Sequence, residues 1–213
     1  MALVAKFTFN PFQENTYLIY DDSKEAIIID PGCYTQVEKT ELSDFITKEG
    51  LKPVRLINTH CHIDHVFGNK FVAETYGLAL EIHEGELPVL EAVPEVSLKY
   101  GIPLPDHSPD PGRFIKEGEE IQFGHTRLKT LFTPGHSPAS ISFYCQEDAF
   151  VIAGDVLFYG SIGRTDLPGG NFETLIQSIR REFFTLDDDV IVYPGHGPKT
   201  TVGYEKQNNP FLR

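Results

Sequence analysis

A short segment of the chain concentrates residue types that bind metal ions. Residues 59–65 read Thr-His-Cys-His-Ile-Asp-His and place three imidazoles and one carboxylate within six positions. Histidines two apart in an extended chain project to the same side, and Asp64 and His65 follow as the chain turns toward a helix. The segment can therefore serve two adjacent ions instead of one, whereas a lone surface histidine rarely binds metal.

Three further candidates share one local context, a hydrophobic strand that ends in a glycine or proline turn. They are His136 in LKTLFTPGHS, Asp155 in AFVIAGD and His196 in VIVYPGHG. Loops at strand ends can project side chains from a rigid frame into a common cleft. The seven candidate metal ligands are therefore His60, His62, Asp64, His65, His136, Asp155 and His196.

The chemistry of this ligand set indicates divalent metal ions. Imidazole and carboxylate ligands without thiolate suit zinc, and they suit iron and manganese as well. Asp155 stands between two histidines along the chain and is the natural bridge between two ions. Two ions about 3.5 Å apart can hold a water molecule, lower its pKa and stabilise the attacking and leaving atoms of an acyl displacement. We predict two divalent ions, with zinc as the first choice and Asp64 and Asp155 as the catalytic carboxylates.

Another carboxylate, Asp30, ends an earlier strand in an Asp-Pro-Gly turn. Metal-bound histidines usually donate their other ring nitrogen to a carboxylate or a carbonyl oxygen. Asp30 is therefore predicted to orient a ligand histidine, and an Asx turn within its own loop is the alternative. His83, His107 and His125 lack a strand-end context and are interpreted as solvated or packed side chains.

The elements that must hold these residues alternate between strands and helices. Strands are predicted at 3–9, 16–20, 26–29, 54–58, 78–82, 119–123, 126–132, 139–144, 149–153 and 189–193. Helices are predicted at 35–49, 66–76, 84–91 and 171–182. Five prolines predict an irregular surface excursion over residues 93–112, a stretch that can border the site. The order suits two β-sheets with helices outside, in a single domain over residues 1–213.

Composition sets limits on partners and compartment. Eighteen Lys and Arg residues against 31 Asp and Glu residues give a net charge of -13, which repels phosphate backbones and anionic membranes. The three cysteines are an odd number in a chain of this size, which favours reduced thiols, and we assign them no chemistry. We read neither an export leader nor an apolar stretch of membrane-spanning length. The sequence therefore predicts a cytoplasmic monomer or simple homo-oligomer that binds no nucleic acid and no membrane.

The strings THCHIDH, TPGHS, AGDVLF and YPGHG, in that order, resemble the metallo-β-lactamase superfamily over essentially the whole chain. GSIGRTDLPGG at 160–170 and the ending GYEKQNNPFL are most similar to the short glyoxalase II-type, or hydroxyacylglutathione, hydrolases. The resemblance implies an α/β fold, the four-layer αββα sandwich. It also implies one ion on His60, His62 and His136, a second on Asp64, His65 and His196, and Asp155 as the bridge.

By the same resemblance, a metal-bridging hydroxide hydrolyses a thioester, typically a 2-hydroxyacyl-glutathione, to a carboxylic acid and a free thiol. Arg164 matches the position at which the family carries a basic residue for the glutathione carboxylate, and a surface ion pair is the alternative. Asp166 stands where the family often has an aromatic residue, and residues 197–213 are too few for the C-terminal helical domain of full-length glyoxalase II. These departures concern glutathione recognition and not the metal chemistry.

Other functions stay open on the sequence alone. A persulfide dioxygenase is a relative that shares the GRTD string and uses one iron on the positions matching His60, His136 and Asp155. A non-enzymatic binding protein that keeps its metals for stability is a second alternative. A β-lactamase is less favoured, because no export leader is read and Asp155 stands where such enzymes commonly have a thiolate or a different ligand set.

Overall fold

The computed structural model describes residues 1–104 and 106–213. These residues divide into two compact units, Met1–Ile115 with Gln122–Thr126, and Lys116–Ile121 with Arg127–Arg213. The described strands form two six-stranded sheets and one two-stranded sheet, and each unit has a hydrophobic core of its own. The single domain predicted over residues 1–213 stays a prediction.

The first sheet contains β1 to β6 in the order of the sequence. Its strands are β1 Leu3–Phe9, β2 Glu14–Tyr20, β3 Glu25–Ile29, β4 Lys52–Ile57, β5 Leu80–His83 and β6 Pro111–Ile115. Strands β1 to β3 pair antiparallel, and β3 to β6 pair parallel. Ile29 at the end of β3 is paired with Ile57 at the end of β4. The loop with Asp30 and the histidine loop therefore leave the sheet side by side.

Helix α1, Gln36–Glu49, confirms the helix predicted over 35–49. The Thr35 side chain accepts from the backbone N–H of Glu38, whose own side chain closes the capping box. Gly50 ends the helix in the left-handed conformation at φ 64°. Leu42 and Ile46 lie in the core, as their helical spacing predicts.

The helix predicted at 66–76 begins earlier and is interrupted. It consists of α2, Ile63–Val66, and α3, Asn69–Tyr76. The break lies at Gly68, where an added Cβ would be 2.4 Å from the Cys33 sulfur. The earlier start places two of the candidate ligands, Asp64 and His65, on α2.

The proline-rich stretch departs most from the prediction. The helix predicted at 84–91 is a 3₁₀ turn at Glu84–Glu86 followed by α4, Leu87–Tyr100, which runs through Pro94. The irregular excursion predicted over 93–112 was therefore wrong for 93–100, and Pro111 begins β6. Burial of Val93 and Ser97 packs α4 on its unit and offsets the hydrogen bond that Pro94 cannot donate. Pro105, also part of that prediction, lies outside the described residues.

The second sheet has the order β14-β13-β10-β9-β8-β7. Its strands are β7 Glu120–Phe123, β8 Thr126–Phe132, β9 Ile141–Cys145, β10 Phe150–Gly154, β13 Ile191–Pro194 and β14 Thr200–Thr201. Strands β11, Leu157–Phe158, and β12, Ser161–Ile162, form the two-stranded sheet. The helix predicted at 171–182 is α5, Phe172–Ser178, continued by a π-helical turn at Ile179–Phe183. Helix α6, Val202–Asn208, was not predicted.

Strands β10 and β13 lie parallel and end together. Gly154 is paired with Pro194, and the Gly195 N–H donates to the Gly154 carbonyl oxygen at 2.8 Å. The loops that carry Asp155 and His196 therefore leave the second sheet next to each other. Among the described residues, no helix is both long enough and apolar enough to cross a membrane.

Candidate metal centre

The loop after β4 brings four of the predicted ligands together. His60 and His65 are fully buried, and His62 is partly buried. The His60 ring centroid lies 4.8 Å from that of His62 and 4.1 Å from that of His65. Asp64 Oδ2 lies 3.7 Å from His65 Nε2. Within the first unit, the extended turn after β4 and the short helix α2 thus gather three imidazoles and one carboxylate.

Asp30 lies in contact with this histidine loop. Its Oδ1 accepts from the Thr59 N–H at 2.7 Å, and its Oδ2 accepts from the Thr59 hydroxyl at 2.6 Å. The same Oδ2 lies 3.1 Å from His65 Nδ1. The carboxylate is therefore engaged with the neighbouring loop, which is the contact expected of a residue that orients a ligand histidine.

Hydrogen bonds determine which nitrogen of His60 and His65 carries the proton. Thr59 has one hydroxyl proton and donates it to Asp30, so His60 Nδ1, 3.0 Å from that hydroxyl oxygen, must be the donor of their contact. His65 Nδ1 faces the Asp30 carboxylate, which accepts. In the neutral form of both rings, Nε2 is then the unprotonated nitrogen and the one that can bind a metal ion.

In the second unit, Asp155 lies between two histidines. His136 Nδ1 lies 2.7 Å from the Arg164 carbonyl oxygen, which only accepts, so in the neutral ring Nε2 is again the unprotonated nitrogen. His136 Nε2 lies 3.5 Å from Asp155 Oδ2, while Asp155 Oδ1 lies 2.9 Å from His196 Nδ1. Two donors bound to one tetrahedral ion at about 2.0–2.1 Å are roughly 3.3 Å apart, which the His136–Asp155 distance fits. The two oxygens of Asp155 face two different histidines.

The donor set of the first unit fits a divalent ion. In the first unit, ligand atoms of Asp30, His60 and His65 lie within 4.8 Å of one another. Asp30 is therefore placed where it could join such a group or orient His65 through Nδ1, and its orienting role stays a prediction. Imidazole and carboxylate donors without thiolate suit zinc, iron or manganese.

Two buried glutamates that support the histidine loop were not predicted. Glu86 Oε2 accepts from the Cys61 N–H at 3.0 Å. Glu14 accepts from the Thr16 hydroxyl at 3.0 Å, and its Oε1 lies 3.9 Å from His65 Nδ1. Burial raises the pKa of Glu14 well above its usual value, against the opposing effect of nearby His65. Glutamate is rarely buried, so neither position stands out in the sequence without knowledge of the fold.

Arg164 lies between β12 and α5 and forms an ion pair. Its Nε and Nη2 donate to Asp166 Oδ1 and Oδ2, both at 2.7 Å. The side chains are 57% and 70% exposed. The hydrogen bonds from Arg164 lower the pKa of Asp166 to about 2, so the carboxylate is charged at neutral pH. The ion pair that was the alternative to substrate binding is therefore present, and a role of Arg164 in binding stays a prediction.

The three remaining histidines have local or exposed surroundings. His83 Nδ1 accepts from the Gly85 N–H at 3.1 Å. His125 Nε2 lies 4.0 Å from Asp22 on the surface, and His107 is exposed. These are the solvated or packed side chains that the sequence predicts.

The cysteines are buried thiols. Cys33, Cys61 and Cys145 are all free, and Cys61 packs in the core of the first unit. Burial raises the pKa of Cys33 to about 12 and that of Cys145 to about 11. Thiols with such values are protonated at neutral pH and therefore poor nucleophiles.

Comparisons with known proteins place the whole chain beside metal-dependent enzymes. The family model of the metallo-beta-lactamase superfamily matches residues 9–196. The hydroxyacylglutathione hydrolase GloC of Haemophilus influenzae is 40% identical over 202 residues, 94% of this chain and 93% of that protein. The crystal structure of the B3 metallo-beta-lactamase BLEG-1 is 36% identical and superimposes with a TM-score of 0.90 over 99% of both chains. The di-iron-bound structure of TTHA1623 is 37% identical, with a TM-score of 0.88 over 98% of this chain and 100% of that one.

Proposed function

The chain belongs to the metallo-β-lactamase superfamily, and on that basis we propose that it is a dinuclear metal-dependent hydrolase of thioesters such as 2-hydroxyacyl-glutathione. The fold is the mixed α/β fold of that family, with sheets flanked by helices, as the sequence predicted. The 40% identity to a protein named as a hydroxyacylglutathione hydrolase supports the choice of a thioester.

The observation that carries the proposal is the common orientation of the histidines. His60, His65 and His136 each engage Nδ1 with a protein oxygen, at 3.0, 3.1 and 2.7 Å. Three Nε2 atoms are thereby held as metal donors before any ion binds, which is the arrangement typical of metal sites. The proposed ligands are His60, His62 and His136 for one ion, Asp64, His65 and His196 for the other, and Asp155 for both.

The reaction proposed is the addition of water to the thioester carbonyl. Two divalent ions, when bound, lower the pKa of a water molecule and stabilise charge on the carbonyl oxygen. Asp155 directs one oxygen toward His136 and the other toward His196, as a carboxylate shared by two ions must. The Asp64 side chain, 12% exposed, is assigned to accept the proton that the attacking water loses. The C–S bond then breaks, and the leaving thiolate takes up the proton that Asp64 accepted.

The identity of the metal is proposed from the ligands. Imidazole and carboxylate donors make zinc our first choice, with manganese as an alternative. The di-iron-bound form of TTHA1623 supports iron as the other alternative. Elemental analysis of protein purified without added metal distinguishes these ions.

We also propose a cytoplasmic location and a single domain over residues 1–213, in a monomer or simple homo-oligomer. Free cysteines at all three positions are the form expected in a reducing compartment. A net charge of -13 favours a small-molecule substrate over a nucleic acid.

Release of thiol from S-lactoylglutathione tests the proposal. We expect hydrolysis that is lost on chelation and restored by a divalent ion. Asp155→Asn should lower kcat by on the order of 10²-fold or more, because it removes the shared charge. Asp22→Asn is the matched control, since it removes one negative charge from a side chain that is 82% exposed.

Each competing function has its own result in the same series. Oxygen consumption with glutathione persulfide, without thiol release from the thioester, would assign the chain as a dioxygenase. Turnover of a chromogenic cephalosporin alone would assign a β-lactamase, the activity named for BLEG-1. Metal binding without turnover of any of these substrates would leave a metal-stabilised binding protein.

A further inference from the structure

The backbone at Arg164 is fixed beside two of the proposed ligands. Its carbonyl oxygen lies 2.7 Å from His136 Nδ1. A Cβ added at Gly163 would lie 1.9 Å from the Asp155 carbonyl oxygen, so the chain passes in close contact with Asp155. The Arg164 side chain therefore begins at the edge of the proposed metal centre, within the second unit.

The guanidinium of Arg164 is engaged on the edge that best recognises a carboxylate. Asp166 accepts from both Nε and Nη2 at 2.7 Å. A substrate carboxylate could accept from the same two donors if Asp166 did not occupy them. Asp166 stays charged at neutral pH, so a substrate carboxylate that binds Arg164 would also meet its negative charge. Both side chains are more than half exposed, so solvent screens the pair and a ligand can displace it.

We propose that Asp166 is a specificity-determining residue that competes with a substrate carboxylate for Arg164. This inference rests on the proposed thioester hydrolysis. A thioester whose carrier has a carboxylate must open the Arg164–Asp166 pair to bind, whereas a thioester on an uncharged carrier leaves the pair closed. The chain therefore favours uncharged carriers more than it would with a neutral residue at position 166.

Two thioesters with the same acyl group test the inference. S-lactoylglutathione carries carboxylates on its thiol carrier, and S-lactoyl-N-acetylcysteamine carries none. Asp166→Asn should lower KM for the glutathione thioester by about three- to tenfold, since it weakens the competing acceptor and removes a repelling charge. Its KM for the uncharged thioester and both kcat values should stay unchanged.

Two controls separate this role from a general change in charge or stability. Asp22→Asn removes the same charge from another exposed position and should leave the ratio of the two KM values unchanged. In an Arg164→Gln background, Asp166→Asn should lose most of its effect, because Asp166 acts through the guanidinium. An equal ratio of KM values in the wild type and Asp166→Asn would overturn the inference and leave thioester hydrolysis intact.

Binding of the thioether S-hexylglutathione by calorimetry needs no turnover. Tighter binding to Asp166→Asn than to the wild type is expected, again by about three- to tenfold. If no variant hydrolyses a thioester, the proposed function fails. The comparison of Kd values still tests whether Asp166 competes with a ligand carboxylate for Arg164. Equal Kd values for the two proteins would overturn the inference.

Discussion

At the scale of single residues, hydrogen bonds orient the histidines that we propose as metal ligands. The Thr59 hydroxyl donates a hydrogen bond to Asp30 and accepts one from His60, while Asp30 also faces His65. One carboxylate thereby sets the tautomer of two rings, one directly and one through a hydroxyl. We therefore propose that Asp30 controls metal affinity through the orientation of these two rings.

Replacement of Asp30 tests this arrangement. Asp30→Asn keeps the size of the side chain but weakens its ability to accept from both Thr59 and His65. We expect metal affinity to fall by about 10- to 100-fold, as when other orienting partners of ligand histidines are removed. Competition with a chromogenic chelator measures the affinity, and Asp22→Asn serves as the control. Unchanged affinity would show that His65 needs no partner at Nδ1.

The cysteines give a second prediction at this scale. Because burial keeps Cys33 and Cys145 protonated and hides Cys61, a thiol reagent should label none of the three in the native protein at pH 8. All three should react after denaturation. Rapid labelling of any of them in the native state would contradict the burial described.

The sequence reveals the candidate ligands more readily than the residues that support them. His136, Asp155 and His196 stand out because each follows a hydrophobic strand and a turn, a context visible without any structure. Glu14 and Glu86 support the histidine loop from positions distant in sequence, and charged residues are usually exposed. Only the folded arrangement identifies them.

At the scale of elements, parallel strand pairs place the site. Strands β3 and β4 end together in the first sheet, and β10 and β13 end together in the second. Polar loops at the carboxyl ends of neighbouring parallel strands are the usual position of binding residues in such sheets. The loops that follow each pair leave the sheet at the same edge, so the candidate ligands of each unit lie close together.

Gly163 provides a test of an element-scale constraint. Gly163→Ala would place a methyl group 1.9 Å from the Asp155 carbonyl oxygen and push the 163–171 loop away from Asp155 and His136. We expect a loss of about 1–3 kcal/mol of stability, as for other overpacked positions, together with weaker metal binding. Denaturant unfolding with and without metal measures both effects.

Gly118→Ala is the matched control for that experiment. Gly118 has φ 71° and open space where a Cβ would lie, so alanine there should cost about 1 kcal/mol through backbone strain alone. Its metal affinity should not change. Equal metal affinity in Gly163→Ala and Gly118→Ala would contradict the constraint at Gly163.

Elements with strong local signals were predictable, and others were not. Helix α1 has a capping box at Thr35 and a terminal glycine at Gly50, so local residue types predict both of its ends. Helix α4 continues through Pro94 because buried Val93 and Ser97 pack against the core, which a local pattern does not report. Helix α6 has only seven residues, too few for a clear periodic pattern.

At the scale of the whole molecule, charge and composition agree with a metal-dependent enzyme for small molecules. The net charge of -13 favours the uptake of divalent cations and repels nucleic acid. An ion that binds only the folded chain stabilises it by mass action. Chelation should therefore lower Tm, and restoring zinc should reverse the change.

The number of ions per chain tests the central claim most directly. We predict close to two divalent ions per chain, by elemental analysis of protein purified without added metal, as a dinuclear hydrolase requires. His196→Ala should reduce this number toward one, whereas replacing the exposed surface histidine in His125→Gln should leave it unchanged. A single iron per chain that His196→Ala does not affect would contradict the account.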